Sequence, residues 1–319
     1  MDFALLISIL AATIRAGTSL LYATIGEIYT ERAGVLNLGI EGMMLMGAVT
    51  GFATAYHSGN ALLGVVVAFM AGAGMGLIHA FLSITLRADQ VVSGLALTIF
   101  GVGLSSFLGQ RLGPGGGALV GLQGPHFSRI PIPGLSELPL IGDPLFNQDL
   151  LTYAIYFFVP LATFYLYRTR PGLNLRAIGE APRAADAMGV NVTRLRYLYT
   201  MLGGALAGLG GAHLSLAYTP GWTENITGGR GWIAVALVIF SLWNPARAVL
   251  GVLLFGGINA IQFRMQAVGT TIPPQFLNLL PYLLTIIVMI AVTGYEKLSR
   301  SVGAPAALGQ PYHREERGL

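Results

Sequence analysis

The sequence is poor in charge, and this excludes most water-soluble folds. Of its 319 residues only 10% are charged, whereas an ordinary soluble domain carries about 25%. Hydrophobic residues make up 54% of the chain, and its 44 glycines exceed the usual share, as is common in transmembrane helices. So few charges cannot cover so apolar an interior in water. The composition therefore predicts an all-α polytopic membrane protein.

Cysteine is absent, which excludes a disulfide framework and any thiolate site. The single lysine, Lys297, lies in "GYEKLSR", so the chain has no G-x-x-x-x-G-K-[ST] loop and cannot bind ATP in that way. The five histidines are scattered without metal-ligand spacing, and neither H-E-x-x-H nor G-x-S-x-G occurs. We therefore expect no catalytic residues, no metal site, no cofactor of the chain's own and no nucleic-acid partner.

Apolar runs of spanning length recur along the whole chain. No Lys or Arg precedes the first run, "MDFALLISIL", so a secretory signal peptide is not expected. The run at 230–243 is short and follows "TPGWTENITGGRG", which is rich in helix breakers, so it predicts a half-helix behind a re-entrant segment. We expect eight to ten helices, since a span needs about 20 apolar residues. The runs lie at 3–26, 35–56, 61–86, 91–112, 150–167, 195–218, 230–243, 246–265 and 275–294.

One polar island, Arg168–Arg196, holds six of the eighteen basic residues. The positive-inside rule places it in the cytoplasm. If successive apolar runs then cross the membrane in alternating directions, thirteen basic residues lie inside and four lie outside. This predicts an inner-membrane protein with a cytoplasmic C-terminus, and nine crossings would put the N-terminus outside. The Pro- and Gly-rich residues 113–149 then form an ordered extracytoplasmic loop, and the tail 301–319 is cytoplasmic and expected to be disordered from Val302 onward.

Polar groups within the apolar runs are few, and each implies a cavity or a partner. Asn37 and Glu41 are four residues apart, which predicts that they share one helix face. Two interpretations stay open: a polar face on a translocation path, or an interhelical hydrogen bond that locks the bundle, for example between Glu41 and Arg15. An ion-coupled carrier would usually place acidic residues near the membrane midplane. Glu41 is the only acidic residue expected well inside a span, and even it lies near the cytoplasmic start of its helix, which favours energy supplied from outside the chain.

Within the island, "NLRAIGEAPRAADAMG" predicts a short amphipathic helix over about 174–190. Small and apolar residues share one face, and Gly189 is typical of a helix C-cap. Either this face docks on a soluble partner, with the arginines meeting acidic groups or lipid headgroups, or the island is a plain charged loop.

Three stretches together resemble permeases of ATP-binding-cassette (ABC) importers, in the class for branched-chain amino acids, simple sugars and nucleosides. "GLNLRAIGEAPRAADAMGVNV" resembles their cytoplasmic coupling helix. "ERAGVLNLGIEGMMLMGA", residues 31–48, resembles their second-helix signature, and "GGRGWIAVALVIFSLWNP", residues 228–245, resembles a late helix of the class. The form of the second stretch is most similar to the nucleoside permeases. The resemblance implies a type II ABC importer transmembrane domain over residues 1–300.

The resemblance also implies partners and roles. It implies an ABC ATP-binding subunit or tandem-domain ATPase that holds ATP and Mg²⁺, a second, paralogous permease, and a solute-binding lipoprotein or periplasmic protein. A simple sugar such as ribose or galactose is the alternative cargo, and an ion-coupled secondary carrier is the alternative class. The half-helix at Gly228–Gly231 is expected to point its N–H groups into the translocation cavity. Residues expected to couple to the ATPase are Arg176, Ala177, Gly179, Glu180, Ala184, Ala185 and Gly189; those expected on the path are Asn37, Glu41, Gly229 and Gly231.

Overall fold

A computed structural model describes residues 3–267 and 303–313 of the chain, with isolated positions between 273 and 290. The predicted run at 275–294 therefore lies largely outside the described residues. The other eight runs each coincide with a helix. The helices are α1 (Phe3–Arg32), α2 (Ile40–Ser58), α3 (Ala61–Ala80), α4 (Gln90–Arg111), α5 (Gly142–Phe146), α6 (Leu150–Arg168), α7 (Arg170–Glu180), α8 (Pro182–Ala187), α9 (Val192–His213), α10 (Arg230–Phe240) and α11 (Pro245–Ala267).

Five of the described helices are long and apolar enough to cross a membrane: α1, α3 with the π turn that follows it, α4, α6 and α11. The other two long helices, α2 and α9, lie largely buried within the bundle. Helix α10 has 11 residues and rises about 16 Å, roughly half of a 30 Å hydrocarbon core. The predicted half-helix is thus present.

Glycines bring the central helices into backbone contact. A Cβ on Gly47 of α2 would lie 2.2 Å from the carbonyl oxygen of Gly208 in α9, and a Cβ on Gly72 of α3 would lie 2.2 Å from that of Gly204. Only glycine permits such approach, which is how helices associate in a medium that offers no hydrophobic drive. In the sequence these glycines recur four residues apart, as Gly47 and Gly51, Gly72 and Gly76, and Gly204 and Gly208, and this spacing serves close packing around α9.

The predicted single helix over 174–190 is wrong in one respect: it is two helices, α7 and α8. The break falls at Ala181 (φ −143°, ψ 73°), because a residue that precedes proline is sterically pushed out of the helical region and Pro182 follows. The C-cap prediction is confirmed, since Gly189 has φ +86° and its N–H donates to the Asp186 carbonyl.

Residues 113–149 and helices α7 and α8 lie at opposite ends of the bundle. Helix α6 joins them, and its 19 residues span about 28 Å. Residues 113–149 contain a 3₁₀ turn, α5 and the antiparallel pair β1 (Ile130–Pro131) and β2 (Asn147–Gln148). We call the two ends the 113–149 end and the α7–α8 end.

Candidate functional site

The carboxylate of Glu41 is clamped to the start of α10, deep in the bundle. Its Oε1 accepts hydrogen bonds from Thr227 Oγ1 at 2.5 Å and from the Gly229 N–H at 2.9 Å, and its Oε2 accepts from the Gly231 N–H at 2.6 Å. Glu41 is 4% exposed. A Cβ on Gly231 would lie 2.5 Å from the Glu41 Cα, so glycine is required there. The carboxylate therefore both satisfies free helix-start donors and complements the positive end of the helix dipole.

Two sequence expectations about this region are corrected by the clamp. The N–H groups of Gly229 and Gly231 do not face a cavity, because both donate to Glu41. The suggested partner of Glu41, Arg15, instead donates to the Ala217 carbonyl at 3.4 Å. The carboxylate finds donors at the start of a helix, where several N–H groups lack intrahelical acceptors, rather than a formal cation.

Asn37 belongs to a separate pair. Helix α2 begins at Ile40, so Asn37 precedes the helix and the expected shared face with Glu41 is wrong. Its Oδ1 accepts from the Gly39 N–H at 2.9 Å, a local turn that a short amide favours. Its backbone N–H and its Nδ2 donate to the two carboxylate oxygens of Glu27 at 3.1 and 3.3 Å, and both side chains are buried.

The turn from α10 into α11 is fastened to the end of α1. Leu242 and Trp243 both have left-handed backbones, with φ +52° and +54°, which is unfavourable for residues with a Cβ. The Arg32 guanidinium donates to both of their carbonyls, at 3.4 and 3.3 Å, and Trp243 Nε1 donates to the Glu31 carboxylate. These contacts hold a conformation that the residues would not adopt alone.

The residues expected to couple to an ATPase divide into three groups by their exposure. Glu180, Ala184 and Gly189 are exposed, whereas Gly179 and Ala185 are buried against the bundle. The remaining two are half-buried: the Arg176 guanidinium lies 5.3 Å from the ring centre of Tyr167, and Ala177 packs on the core. The exposed surface also includes Met188, which belongs to the small and apolar face of the island but is not among the seven expected coupling residues, and which is 84% exposed. An apolar side chain that projects so far from the island is typical of a contact surface.

Helix α7 is in backbone contact with α1. A Cβ on Gly179 would lie 2.2 Å from the Arg32 carbonyl oxygen, and the Arg32 guanidinium lies 3.8 Å from the Glu180 carboxylate. Because the Glu180 side chain is half exposed, this ion pair contributes little stability, and the close backbone packing fixes the position. Arg32 thus touches both α7 and the α10–α11 turn.

The tail is ordered where the structure describes it, so the expected disorder from Val302 is wrong for residues 303–313. The Ala307 N–H donates to the Gly179 carbonyl at 2.9 Å, and the Gly309 N–H donates to the Gly34 carbonyl at 3.3 Å. Arg196, buried in α9, donates to the Gln310 carbonyl at 3.0 Å and to that of Ala33 at 3.1 Å. This C-terminal segment therefore ties α7 to the α1–α2 loop and to α9.

The three stretches that carry the sequence resemblance thus contact one another at the two ends of α10 and at the end of α1. Residues 31–48 contribute Glu31, Arg32 and Glu41, residues 228–245 contribute Gly229, Gly231 and Trp243, and the island contributes Gly179 and Glu180. Sequence reasoning missed Glu31, Thr227 and Trp243. Trp243 stands beside a helix-ending Asn-Pro, and a polar indole at such a turn was the available signal.

At the 113–149 end, Asp149 caps α6 and faces His213. Its Oδ1 accepts from the N–H groups of Leu151 and Thr152, both at 3.0 Å, and its Oδ2 lies 3.6 Å from His213 Nε2. Burial acts to raise the pKa of Asp149, but the nearby His213 imidazole and the hydrogen bonds from Thr152 outweigh it, so this pKa lies below its usual range.

This gives a pH-dependent prediction for Asp149→Asn. A carboxyl whose pKa is lowered on folding stabilises the fold above its unfolded pKa of about 3.9, and the contribution is lost as the pH falls through the folded value. We therefore expect Asp149→Asn to lower the melting temperature in detergent at neutral pH, and the difference from the parent protein to shrink below about pH 4. Glu137→Gln, at an exposed carboxyl in residues 113–149, is the control. The same difference in melting temperature at neutral pH and below about pH 4 would contradict a lowered pKa for Asp149.

Comparisons with known proteins identify a family and a related fold. Residues 9–292 match the model of the family described as branched-chain amino acid transport system/permease component. A solved ABC transporter in an inward-facing conformation has the same fold, with a TM-score of 0.51 over 90% of this chain and 85% of that one, at 15% identity.

Three relatives of this chain are named as permeases of ABC transporters. A Haloferax volcanii protein provisionally named as a glucose ABC transporter permease is 43% identical over 96% of this chain and 98% of its own length. The guanosine ABC transporter permease protein NupQ of Bacillus subtilis is 33% identical over 99% of this chain and its own full length. A nucleoside ABC transporter permease protein of Lactococcus lactis, NupC, is 35% identical over 87% of this chain and 89% of its own.

Proposed function

This chain belongs to the branched-chain amino acid transport system/permease component family, and from this premise we propose that it forms the path for a nucleoside in an ATP-driven importer. Energy enters at the α7–α8 end from a separate ATP-binding subunit, because the sequence has no P-loop. The observation that carries the proposal is the convergence of α7, the α10–α11 turn and the α10 half-helix on α1 and α2 through Arg32, Glu31 and Glu41.

These contacts provide a route by which movement passes from α7 to α10. A push on α7 acts on α1 through Gly179 and Arg32, which are in backbone contact. The same Arg32 holds the carbonyls of the α10–α11 turn, and the opposite end of α10 is held by Glu41. Movement of α7 and α8 is therefore relayed to a half-helix that begins near the middle of the bundle. Closely packed elements of this kind move as units.

A nucleoside is the first candidate cargo, since the second-helix stretch and the guanosine and nucleoside relatives agree. A simple sugar is the second, favoured by the relative of 43% identity that is named for glucose. Both are neutral solutes with a hydroxylated ring. An amino acid, which the family description also covers, carries two opposite charges and would require different partners.

The proposed assembly contains a second permease and an extracytoplasmic solute-binding protein, in a bacterial inner membrane. The α7–α8 end faces the cytoplasm and residues 113–149 face outward, in agreement with the positive-inside rule. Large apolar side chains on α4 and α6 are exposed, among them Ile99 at 73% and Phe157 at 79%. Lipid and the second permease would cover such surfaces.

Reconstitution tests the proposal. The chain is placed in liposomes with its paired permease, ATPase and binding protein, and uptake of labelled guanosine, uridine, ribose and glucose is measured with and without ATP. We expect uptake to require ATP hydrolysis and to favour guanosine or uridine. Uptake by this chain alone under a proton or sodium gradient would refute the proposal in favour of a secondary carrier.

A substitution on the exposed surface tests the coupling role. We expect Glu180→Arg combined with Ala184→Trp to reduce ATP-driven uptake at least about tenfold, which corresponds to losing about 1.4 kcal/mol of contact with the ATPase. Both positions are exposed, so the permease should still fold and insert. Ala184→Ser, which keeps the side chain small, is the matched control. Unchanged uptake and unchanged coupling to ATP hydrolysis in the double variant would show that this surface does not meet the ATPase.

A further inference from the structure

A chamber opens between residues 113–149 and the re-entrant segment 219–229. Its volume is about 580 Å³. Two contacts hold its walls together: a β-bridge between Val120 and Trp222, and a hydrogen bond from the Phe127 N–H to the Leu216 carbonyl. Ligand pockets for small molecules commonly occupy about 300–1,000 Å³, so the chamber suits one solute of nucleoside or sugar size.

The lining combines aromatic rings with hydrogen-bonding groups. Tyr218 and Trp222 supply the rings; the lining residues with amide, hydroxyl or guanidinium groups are Gln123, Thr219, Thr223, Asn225 and Arg230. Trp222 is 2% exposed, and its indole packs against Gly109 of α4, where a Cβ would lie 2.1 Å from the ring. Trp222 therefore forms a fixed wall of the chamber, and the exposed lining residues Thr223 and Asn225 provide groups that can hydrogen-bond to a solute.

The charges around the chamber select against one class of solute. None of the described residues that line it carries a carboxylate. Nearby Glu224 is hydrogen-bonded to Ser106 instead. The guanidinium groups of Arg15 and Arg230 lie 5.9 and 5.0 Å from the ring centre of Tyr218 and make this region positive. An ammonium group would meet the Arg230 guanidinium and no carboxylate among the described lining residues, whereas hydroxyl and carbonyl oxygens would meet donors.

The chamber also adjoins the Glu41 clamp. Arg230, which lines it, is the first residue of α10, and its guanidinium donates to the Ala16 carbonyl at 3.0 Å and to Ser19 Oγ at 3.3 Å. The residues on either side, Gly229 and Gly231, donate to Glu41. A solute in the chamber therefore rests against the element that Glu41 holds.

We propose that this chamber, lined by Tyr218, Trp222 and Asn225, receives a neutral hydroxylated ring solute and rejects zwitterionic amino acids. This deepens the proposed function and rests on it. The chamber lies on the outward side of the Glu41 clamp, at the 113–149 end, so it is the first compartment that a solute enters after release from a binding protein. The α10 half-helix closes the chamber below.

The absence of cysteine permits a direct test. A single cysteine is introduced as Asn225→Cys, at an exposed lining position, and as Ser128→Cys, at an exposed position of residues 113–149 that does not line the chamber. Each assembled transporter is reacted with a membrane-impermeant maleimide in proteoliposomes, with guanosine, glucose or leucine present. Thr223→Cys is a second probe in case Asn225→Cys fails to fold.

We expect guanosine or glucose to slow labelling at position 225, by a factor of about 3 when its concentration is twice its dissociation constant. Leucine should leave the rate unchanged, and no solute should affect position 128. Equal protection by leucine, or protection by none of the three, would overturn the proposal. ATP-driven uptake without protection would reject the chamber alone, whereas absence of ATP-driven uptake in the parent assembly would reject the proposed function.

Discussion

Glu41→Ala is expected to abolish ATP-driven uptake and to lower the melting temperature of the purified protein markedly. The substitution leaves three donors without their acceptor: the Thr227 hydroxyl and the N–H groups of Gly229 and Gly231. Each buried, unsatisfied donor costs about 1–3 kcal/mol, so the total is roughly 3 kcal/mol or more. If the clamp maintains the transport-competent position of α10, an energy of this size corresponds to a decrease in uptake of roughly 100-fold.

Glu41→Gln separates charge from shape. The amide keeps one oxygen, which can still accept from Thr227 and Gly229, but its NH₂ group would face the Gly231 N–H. We expect Glu41→Gln to have a melting temperature and an uptake rate between those of the parent protein and those of Glu41→Ala. Glu137→Ala, which removes an exposed carboxylate, is the control and should change neither property. If Glu41→Ala matched this control in melting temperature and uptake, the clamp would have no role.

The segmentation of the bundle was predictable because it depends on local composition. Apolar runs and the helix breakers before Arg230 predicted the spans and the half-helix, and a basic island predicted a polar end. The break at Ala181 could also have been predicted, since Pro182 follows it directly in the sequence. These features need no knowledge of what lies across the bundle.

The partners of the buried polar groups were not predictable in the same way. Glu41 is bonded to residues nearly 190 positions further along the chain, and no periodicity encodes such a pairing. Matching charges by sign suggested Arg15, but the donors are main-chain N–H groups, which every non-proline residue carries and which composition does not reveal. Similarly, the Gly- and Ala-rich tail reads as disordered because its contacts are made by backbone atoms of Ala307 and Gly309.

That C-terminal segment supports the second large prediction. Ala307→Pro removes the N–H that donates to the Gly179 carbonyl, at a position that is 6% exposed. A lost hydrogen bond costs about 1 kcal/mol, and the proline ring adds a steric clash, so the segment should detach from α7. We expect uptake to fall by about 5- to 10-fold while ATP hydrolysis by the assembled transporter continues. The quantity to measure is the number of solute molecules imported per ATP hydrolysed.

This ratio distinguishes coupling from folding, because a misfolded permease would lose both activities together. Ala304→Pro, at an exposed position beside Pro305, introduces the same residue without removing the bond to Gly179 and is the matched control. Arg196→Lys tests the same connection from the other side, since lysine cannot bond the carbonyls of Ala33 and Gln310 with the fixed geometry of a guanidinium. If both variants retained the parent ratio, α7 would transmit movement to α1 through Arg32 and Gly179 alone. The C-terminal segment would then contribute to packing and not to coupling.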